Sequence, residues 1–381
     1  MRYFIIAGEA SGDLHGANLV RALRLEDPGA VVHAWGGEGM QKEGVEIRKH
    51  YRELAFMGFA EVLMNLRTIL KNFHRCKQDI LDFRPDAVVL IDYPGFNLRM
   101  AAWLSRQGIP VYYYISPQIW AWKQSRVHKI KRYVNRMFVI LPFEAAFYRK
   151  YFFEADFVGH PLLDAIARHR ECQADPAALQ REFSPDGRPV VALLPGSRLQ
   201  EVRAMLPTML EMSLRFPAYR FVVGEAASLP PGLYDQLCQG YPVQRVRSRT
   251  YELLSVAYAA AVTSGTASLE AALYKVPEVI CYKAGYFSYQ IARRIVKVRF
   301  IGLANLIMDR GILLELIQSD FNPTLLEQEM ERLLHDDAYR KGILDDLEEL
   351  RERLGGPGAS ARTAQLIVEH LRGMKEGVHG A

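Results

Sequence analysis

Cysteine is scarce in this chain. Four residues, Cys76, Cys172, Cys238 and Cys281, are scattered over 381 positions. No C-x-x-C pair and no metal-ligand spacing occurs, which argues against a disulfide framework and points to reduced thiols in a cytoplasmic protein. No apolar run reaches the length that spans a bilayer. The N-terminus enters Tyr3-Phe4-Ile5-Ile6-Ala7 at once, too short for a signal h-region and cleavage site. Any membrane contact is therefore expected to be peripheral. The first βα turn, Gly8-Glu9-Ala10-Ser11-Gly12-Asp13, lacks the G-x-G-x-x-G fingerprint, so a dinucleotide site there is not expected. Internal repeats and low-complexity tracts are also missing. Neither sign of charge dominates: Lys and Arg number 48 against 43 Asp and Glu, a net charge of +5. That balance permits a nucleotide, a phospholipid surface or nucleic acid and selects none of them.

What is present is an ordinary globular composition, 50% hydrophobic and 24% charged, on a chain long enough for two domains with separate cores. Apolar strand patterns alternate with helical ones in both halves, the signature of parallel α/β sheets. The first half reads as strands at Tyr3–Ala7, Val31–Trp35, Ala87–Ile91, Pro110–Ile115, Arg136–Leu141 and Ala155–Val158. The second reads as Val190–Leu194, Tyr219–Val223, Val243–Val246, Ala259–Val262 and Glu278–Tyr282. Between them, Leu162 to Pro189 turns polar, with Asp175-Pro176 and Ser184-Pro185-Asp186-Gly187. The expected organisation is a Rossmann-like domain over 1–165, an interdomain segment over 166–188, a second Rossmann-like domain over 189–355 and a terminal helix over 356–381. Gly355-Gly356-Pro357-Gly358 breaks the tail, and Ser360 is placed to cap the helix that follows.

Two strand-to-helix turns in the second half carry the clearest chemistry: Leu194-Pro195-Gly196-Ser197-Arg198 and Thr263-Ser264-Gly265-Thr266-Ala267-Ser268-Leu269-Glu270. Glycine and small hydroxyl residues at such turns leave backbone N–H groups facing an anion, and the helix N-terminus adds partial positive charge. Arg198 stands where a guanidinium can grip a diphosphate bidentately. Glu270, about one turn into its helix, has the reach to accept hydrogen bonds from ribose hydroxyls.

In the first half, Ala87–Ile91 delivers Asp92 to a strand's carboxyl end, ahead of Tyr93-Pro94-Gly95-Phe96-Asn97. A carboxylate there serves as general base or as helix cap, and Asp-x-Pro-Gly by itself favours the cap. Ser11 and Asp13 read first as helix caps for a helix running from about Asp13 to Leu25, and second as the lining of a cleft. Trp120 and Trp122, followed by Arg126 to Arg132, are either a sugar-stacking or lipid-interface surface or a core pair beside a solvated helix face. His160 in Gly159-His160-Pro161 is a cleft residue or a turn histidine. Phe59, Val62, Leu63, Leu66, Ile69, Leu70 and Phe73 fall at helical spacing beside Arg67, Lys71 and Arg75. Such a stripe packs on a sheet or rests on an anionic bilayer.

Assembled in order, these pieces resemble the lipid-A-disaccharide synthase family. The resemblance is carried by Gly8-Glu9-x-Ser11-Gly12-Asp13, Met57-Gly58, Ile91-Asp92-x-Pro94-x-Phe96-Asn97 and Ser116-Pro117-x-x-Trp120-Ala121-Trp122. It continues through Leu141-Pro142-Phe143-Glu144, Gly159-His160-Pro161, Leu194-Pro195-Gly196-Ser197-Arg198-x-x-Glu201-Val202, Ser264-Gly265-Thr266-Ala267-x-Leu269-Glu270 and Asn305-Leu306. Gly95 departs from the pattern where many relatives carry an acid, and Tyr93 replaces a smaller residue.

The resemblance implies a B-type (GT-B) inverting glycosyltransferase, two Rossmann-like domains facing across a cleft. It implies transfer of 2,3-diacylglucosamine from UDP-2,3-diacylglucosamine to the 6-hydroxyl of 2,3-diacylglucosamine 1-phosphate, with no cofactor and no metal. An inverting displacement needs one base on the acceptor side, and Asp92 is assigned that role. Arg198, Gly196, Ser197 and the Ser264, Gly265, Thr266 turn are expected to hold the UDP diphosphate, with Glu270 on ribose and Asn305 on the nucleotide side. Ser11, Asp13, Asn97, Trp120 and His160 are expected to line the acceptor cleft. Phe59 to Leu70 is the candidate contact with an anionic phospholipid surface on the cytoplasmic face of the inner membrane, and no nucleic-acid partner is expected. The rivals are another UDP-sugar enzyme of the same fold, such as a UDP-N-acetylglucosamine 2-epimerase, and a non-enzymatic protein docked on membranes through Arg126–Arg132.

Overall fold

Parallel strands buried on both faces account for the long apolar runs in the sequence. The computed structural model describes residues 1–54, 66–172, 175–285, 289 and 298–379. The chain divides into one unit of Met1–Ala165 with Gly356–Ala381 and a second of Ile166–Gly355.

In the first unit the strands are β1 (Arg2–Ala7), β2 (Val31–Gly36), β3 (Glu46–His50), β4 (Ala87–Ile91), β5 (Val111–Tyr114), β6 (Arg136–Val139) and β7 (Asp156–Phe157). They form a seven-stranded sheet in the order β3-β2-β1-β4-β5-β6-β7, every pair parallel. Alternate side chains part to opposite faces. Ile5, Ala7, Val89 and Ile91 pack under the helices Ala10–Glu26 and Ala359–His379. Phe4, Ile6, Val88 and Leu90 pack under Leu66–Phe83, Pro94–Arg106, Val127–Tyr133 and Pro142–Arg149. The C-terminal helix thus belongs to the core of the first unit.

In the second unit β8 (Val190–Leu194), β9 (Arg220–Glu225), β10 (Val243–Arg247), β11 (Ala257–Thr263), β12 (Glu278–Tyr282) and β13 (Glu315–Ile317) form a parallel sheet in the order β10-β9-β8-β11-β12-β13. Its core strands are fully buried, as at Val190 to Leu193 and Ala259 to Val262.

Several expectations change. The first helix starts at Ala10, not near Asp13, and its N-cap residue Glu9 makes no side-chain cap. Neither Ser11 nor Asp13 therefore caps it. The polar stretch read as an interdomain segment is largely two helices, Pro161–Cys172 and Pro176–Phe183. Ser360 lies inside the first turn of its helix rather than at the cap. The cap is Asp164, whose carboxylate accepts from the amides of Gly358, Ala359 and Ser360. Two edge strands, β3 and β13, were not anticipated. Among the described residues, no helix is long and apolar enough to cross a membrane.

Candidate active site

Strand order reverses beside β1, which lies between β2 and β4, and beside β8, which lies between β9 and β11. Open α/β sheets bind ligands outside the carboxyl ends of strands at such reversals. The register sets which residues meet there. Ala7 pairs with Ile91, so the next residues, Gly8 and Asp92, emerge side by side. Leu194 pairs with Val262 in the same way, so the Pro195–Arg198 and Thr263–Thr266 turns emerge together.

At the first reversal, Asp92 and Tyr93 both adopt left-handed backbone, φ 43° and 48°. Two consecutive non-glycine residues there are strained, and the surroundings hold them. Asn97 Nδ2 donates to the carbonyl of Ile91 at 3.1 Å and of Asp92 at 2.8 Å. Tyr113 Oη donates to the Asp92 carbonyl at 2.6 Å. With its main chain fixed, Asp92 turns a half-buried carboxyl to the strand end. Burial, and then the charge of Glu9, push that carboxyl up to about 7, against the pull of a hydrogen bond from the Tyr93 amide. Tyr93 lies over Gly8, where an added Cβ would meet its ring at 2.4 Å. The glycine before Glu9 is required by that close approach.

At the second reversal, Gly196 is left-handed at φ 104°. Glu201, three residues beyond the N-cap Arg198, reaches back over the helix start: its Oε2 accepts from the Ser197 amide at 3.1 Å and the Arg198 amide at 3.2 Å. The expectation that these amides stand free for a diphosphate is therefore revised. The Arg198 guanidinium rests on Glu201 Oε1 at 3.2 Å, with its side chain 59% exposed. It remains able to turn to a solvent-borne anion. Across the reversal, the helix Thr266–Leu273 starts without a side-chain cap, with Gly265 and Thr266 exposed. Ser264 Oγ donates to the Ile301 carbonyl at 3.1 Å. Glu270 accepts from Tyr251 Oη at 3.0 Å, and burial raises its carboxyl. Asn305 is corrected: it is fully buried. Its Nδ2 donates to the Leu313 carbonyl and to Glu315, and its Oδ1 accepts from Ile312 and Leu313. Its side-chain amide is thus engaged inside the fold, and the residue also lines the cavity beside β13.

The remaining expected site residues separate by what they touch. Ser11 is exposed near Glu9. Asp13 is buried and its carboxylate accepts from the amides of Gly37, Gly39 and Met40, which makes it a loop anchor. Asn97 is buried and donates to the Asp92 carbonyl. Half-buried Trp120 donates from Nε1 to Glu144 Oε1 at 3.2 Å. Glu144 also accepts from the Ile140 and Leu141 amides, while burial raises it to about 7. His160 is buried, its Nδ1 accepts from the Leu162 amide, and burial lowers it to about 3. It is a neutral structural histidine. Of the membrane stripe, Phe59, Val62 and Leu63 lie outside the described residues. Leu66 begins a helix on which Ile69 is half-buried and Leu70 is 57% exposed.

Glu9 and Glu201 are the functional candidates that sequence reasoning passed over. Glu201 was findable, since an acid three residues after a helix N-cap is capping-box spacing. Glu9 stands in the Gly8-Glu9-x-Ser11-Gly12-Asp13 motif, but no local pattern ties it to Asp92, because their proximity arises from pairing across the sheet. A cavity of about 630 Å³ opens beside β13, with Phe300, Leu313, Glu315, Tyr339 and Ile343 in its wall. No residue of the two reversal turns lines it. Among the described residues, no group of three His, Cys, Asp or Glu is arranged to hold a metal.

The family model described as Lipid-A-disaccharide synthetase matches residues 3–369. A lipid-A-disaccharide synthase of Trichlorobacter lovleyi is 41% identical over 374 residues, 96% of this chain and 97% of that protein. Another, of Syntrophus aciditrophicus, is 40% identical over 377 residues, 97% of each. Among solved structures, UDP-GlcNAc 2-epimerase from Neisseria meningitidis bound to UDP-GlcNAc aligns with a TM-score of 0.69 at 13% identity, covering 97% of this chain and 99% of that one. The glycotransferase of kitacinnamycin aligns at 0.65 and 16%, covering 97% and 99%. At such identities the structural likeness speaks for the fold alone.

Proposed function

The chain belongs to the lipid-A-disaccharide synthase family, and from that membership we propose how its two strand-end sites divide one glycosyl transfer. It is a glycosyltransferase. The reaction is transfer of 2,3-diacylglucosamine from UDP-2,3-diacylglucosamine to the 6-hydroxyl of 2,3-diacylglucosamine 1-phosphate. The anomeric centre inverts, the product is the β-1′,6-linked disaccharide 1-phosphate, and UDP leaves.

The observation that carries the division of labour is Asp92. A carboxyl half-buried at a strand-order reversal, raised to about 7, is matched to accepting a proton from a sugar hydroxyl near neutral pH. As the 6-hydroxyl oxygen forms its bond to the anomeric carbon, its proton passes to Asp92, and the bond to the UDP oxygen breaks. Charge then grows on the leaving diphosphate. Arg198, released from Glu201, and the uncapped N-terminus of Thr266–Leu273 are suited to stabilise it. Glu270 is proposed for the ribose hydroxyls, with Tyr251 fixing its rotamer. Trp120, held by Glu144, is proposed for the acceptor side.

Both substrates carry acyl chains, so the enzyme must meet a lipid surface. We place it at the cytoplasmic face of the inner membrane, bound peripherally, with the region from Phe59 to Leu70 as one contact. The test is turnover by purified protein with both lipids, read by product mass and by UDP release. UDP release that requires the acceptor is expected. Consumption or epimerisation of the donor without acceptor would move the protein to the UDP-sugar epimerase class, whose structures share its fold.

A further inference from the structure

From Tyr93 to Phe153 the chain holds ten Lys and Arg and a single acid, Glu144, and that acid is buried. The next acids, Glu154 and Asp156, pair with Arg149 and Arg136. The helix Val127–Tyr133 sends Val127 and Ile130 into the core and leaves Lys129, Lys131 and Arg132 exposed. Beside it, the turn after Pro142–Arg149 carries Phe152, left-handed at φ 57° and 89% exposed. Helix and turn are joined: Lys131 Nζ donates to the Tyr151 carbonyl at 3.3 Å and stands 5.7 Å from the Phe152 ring. Tyr151 Oη donates to Gln124 Oε1 at 3.1 Å. Trp122, 44% exposed, extends the patch, with Lys123 Nζ 4.2 Å and Arg126 5.4 Å from its ring.

A large exposed aromatic side chain at a turn, with Lys131 against its ring and further exposed cations on the neighbouring helix, suits the headgroup layer of a bilayer, where the ring enters the interface and the cations meet phosphates. Single-stranded nucleic acid would instead call for several rings along a groove, whereas Phe152 stands out from a turn. We propose that this surface, formed by Val127–Tyr133, Trp122 and the Phe152 turn, docks the protein on bilayers carrying anionic phospholipid headgroups. It is a second contact, distinct from the Phe59–Leu70 stretch. It rests on the acylated-substrate reading only for the reason that a bilayer must be met.

The test is co-sedimentation of the full chain, without substrate, on phosphatidylcholine vesicles with and without phosphatidylglycerol. Binding is expected on the anionic vesicles only, weakening with salt. The triple variant Lys129→Ala, Lys131→Ala, Arg132→Ala should lose roughly five-fold in partition per cation, about a hundred-fold in all. Phe152→Ser should lose roughly ten-fold. Both variants should keep the thermal midpoint and the turnover of detergent-dispersed substrates. Partition unchanged in both variants would overturn the proposal, as would equal binding to neutral vesicles. Loss of RNA binding with vesicle binding intact would reassign the surface to nucleic acid. Wild-type protein that binds vesicles through these residues but turns over no substrate would count against the enzymatic reading, not against this one.

Discussion

The charge of Glu9 adds to burial in raising the Asp92 carboxyl, and that coupling is measurable. Asp92→Asn should lower kcat by roughly 10²–10⁴-fold while leaving UDP affinity nearly unchanged, since the lost group touches only the acceptor proton. Single-turnover kinetics with UDP titration would separate the two effects, and near-normal turnover would end the base assignment. In the wild type, activity should fall as pH drops through about 7, because protonation removes the base. Glu9 lies on the raising side of that value. Glu9→Gln should therefore move the acid limb of the kcat/KM profile to lower pH, by roughly half a unit to one unit. A limb that stays in place would show that burial alone sets it. Sequence made Asp92 visible because a strand pattern ended on it. It could not tell Asn97, Asp13 and Asn305 from ligand contacts. Buried amides and carboxylates that serve loops use the same residue types as those that serve substrates, and only the hydrogen-bond partners separate them.

Among the elements, central strands were the most legible, because burial on both faces writes an uninterrupted apolar run. β4, β8 and β12 carry the expected bounds. The edge strands β3 and β13 escaped, because Glu46–His50 is largely polar and Glu315–Ile317 has three residues, too little to show a period. The cap of the C-terminal helix escaped for another reason: Asp164 reaches it from nearly two hundred residues away. Asp164→Ala should cost about 1–3 kcal/mol in urea unfolding, with faster amide exchange at the start of Ala359–His379. β12 offers the opposite case. Glu278 is fully buried, both its carboxyl oxygens lack hydrogen-bond partners among the described residues, and burial holds it well above the usual carboxylate range. With the folded value raised, no penalty exists below the unfolded value. The penalty grows as pH rises, because only the unfolded chain then releases the proton. Glu278→Gln should therefore stabilise the protein increasingly with pH above about 4.5, by up to roughly 1.4 kcal/mol per pH unit. Paired denaturation curves at pH 5 and pH 7 would check it, and a gap that does not widen would refute it.

Over the whole molecule, the two sheets repeat one device. In each, the strand order reverses beside a central strand, and the turns emerging there carry the groups assigned to chemistry: Glu9 and Asp92 in one unit, Arg198 and Ser264–Thr266 in the other. Composition and spacing announced two parallel α/β halves, yet not which strands would be neighbours, and neighbour order is what brings Gly8 next to Asp92. The division assigns UDP to one unit alone, and that has a consequence. UDP at about a hundred times its Kd should stabilise the protein by roughly 2.7 kcal/mol, with slowed amide exchange at Pro195–Arg198 and Ser264–Thr266 and no change around Ile91–Asn97. Arg198→Ala should remove most of that gain, because the guanidinium is the one flexible, exposed cation on the Pro195–Arg198 turn, while the fold around it, held by Glu201 through the main chain, stays in place. Equal protection in both units, or a full UDP shift in Arg198→Ala, would move the nucleotide away from the β8–β11 reversal. The diphosphate assignment would then fall, while Asp92 could still be tested on its own terms.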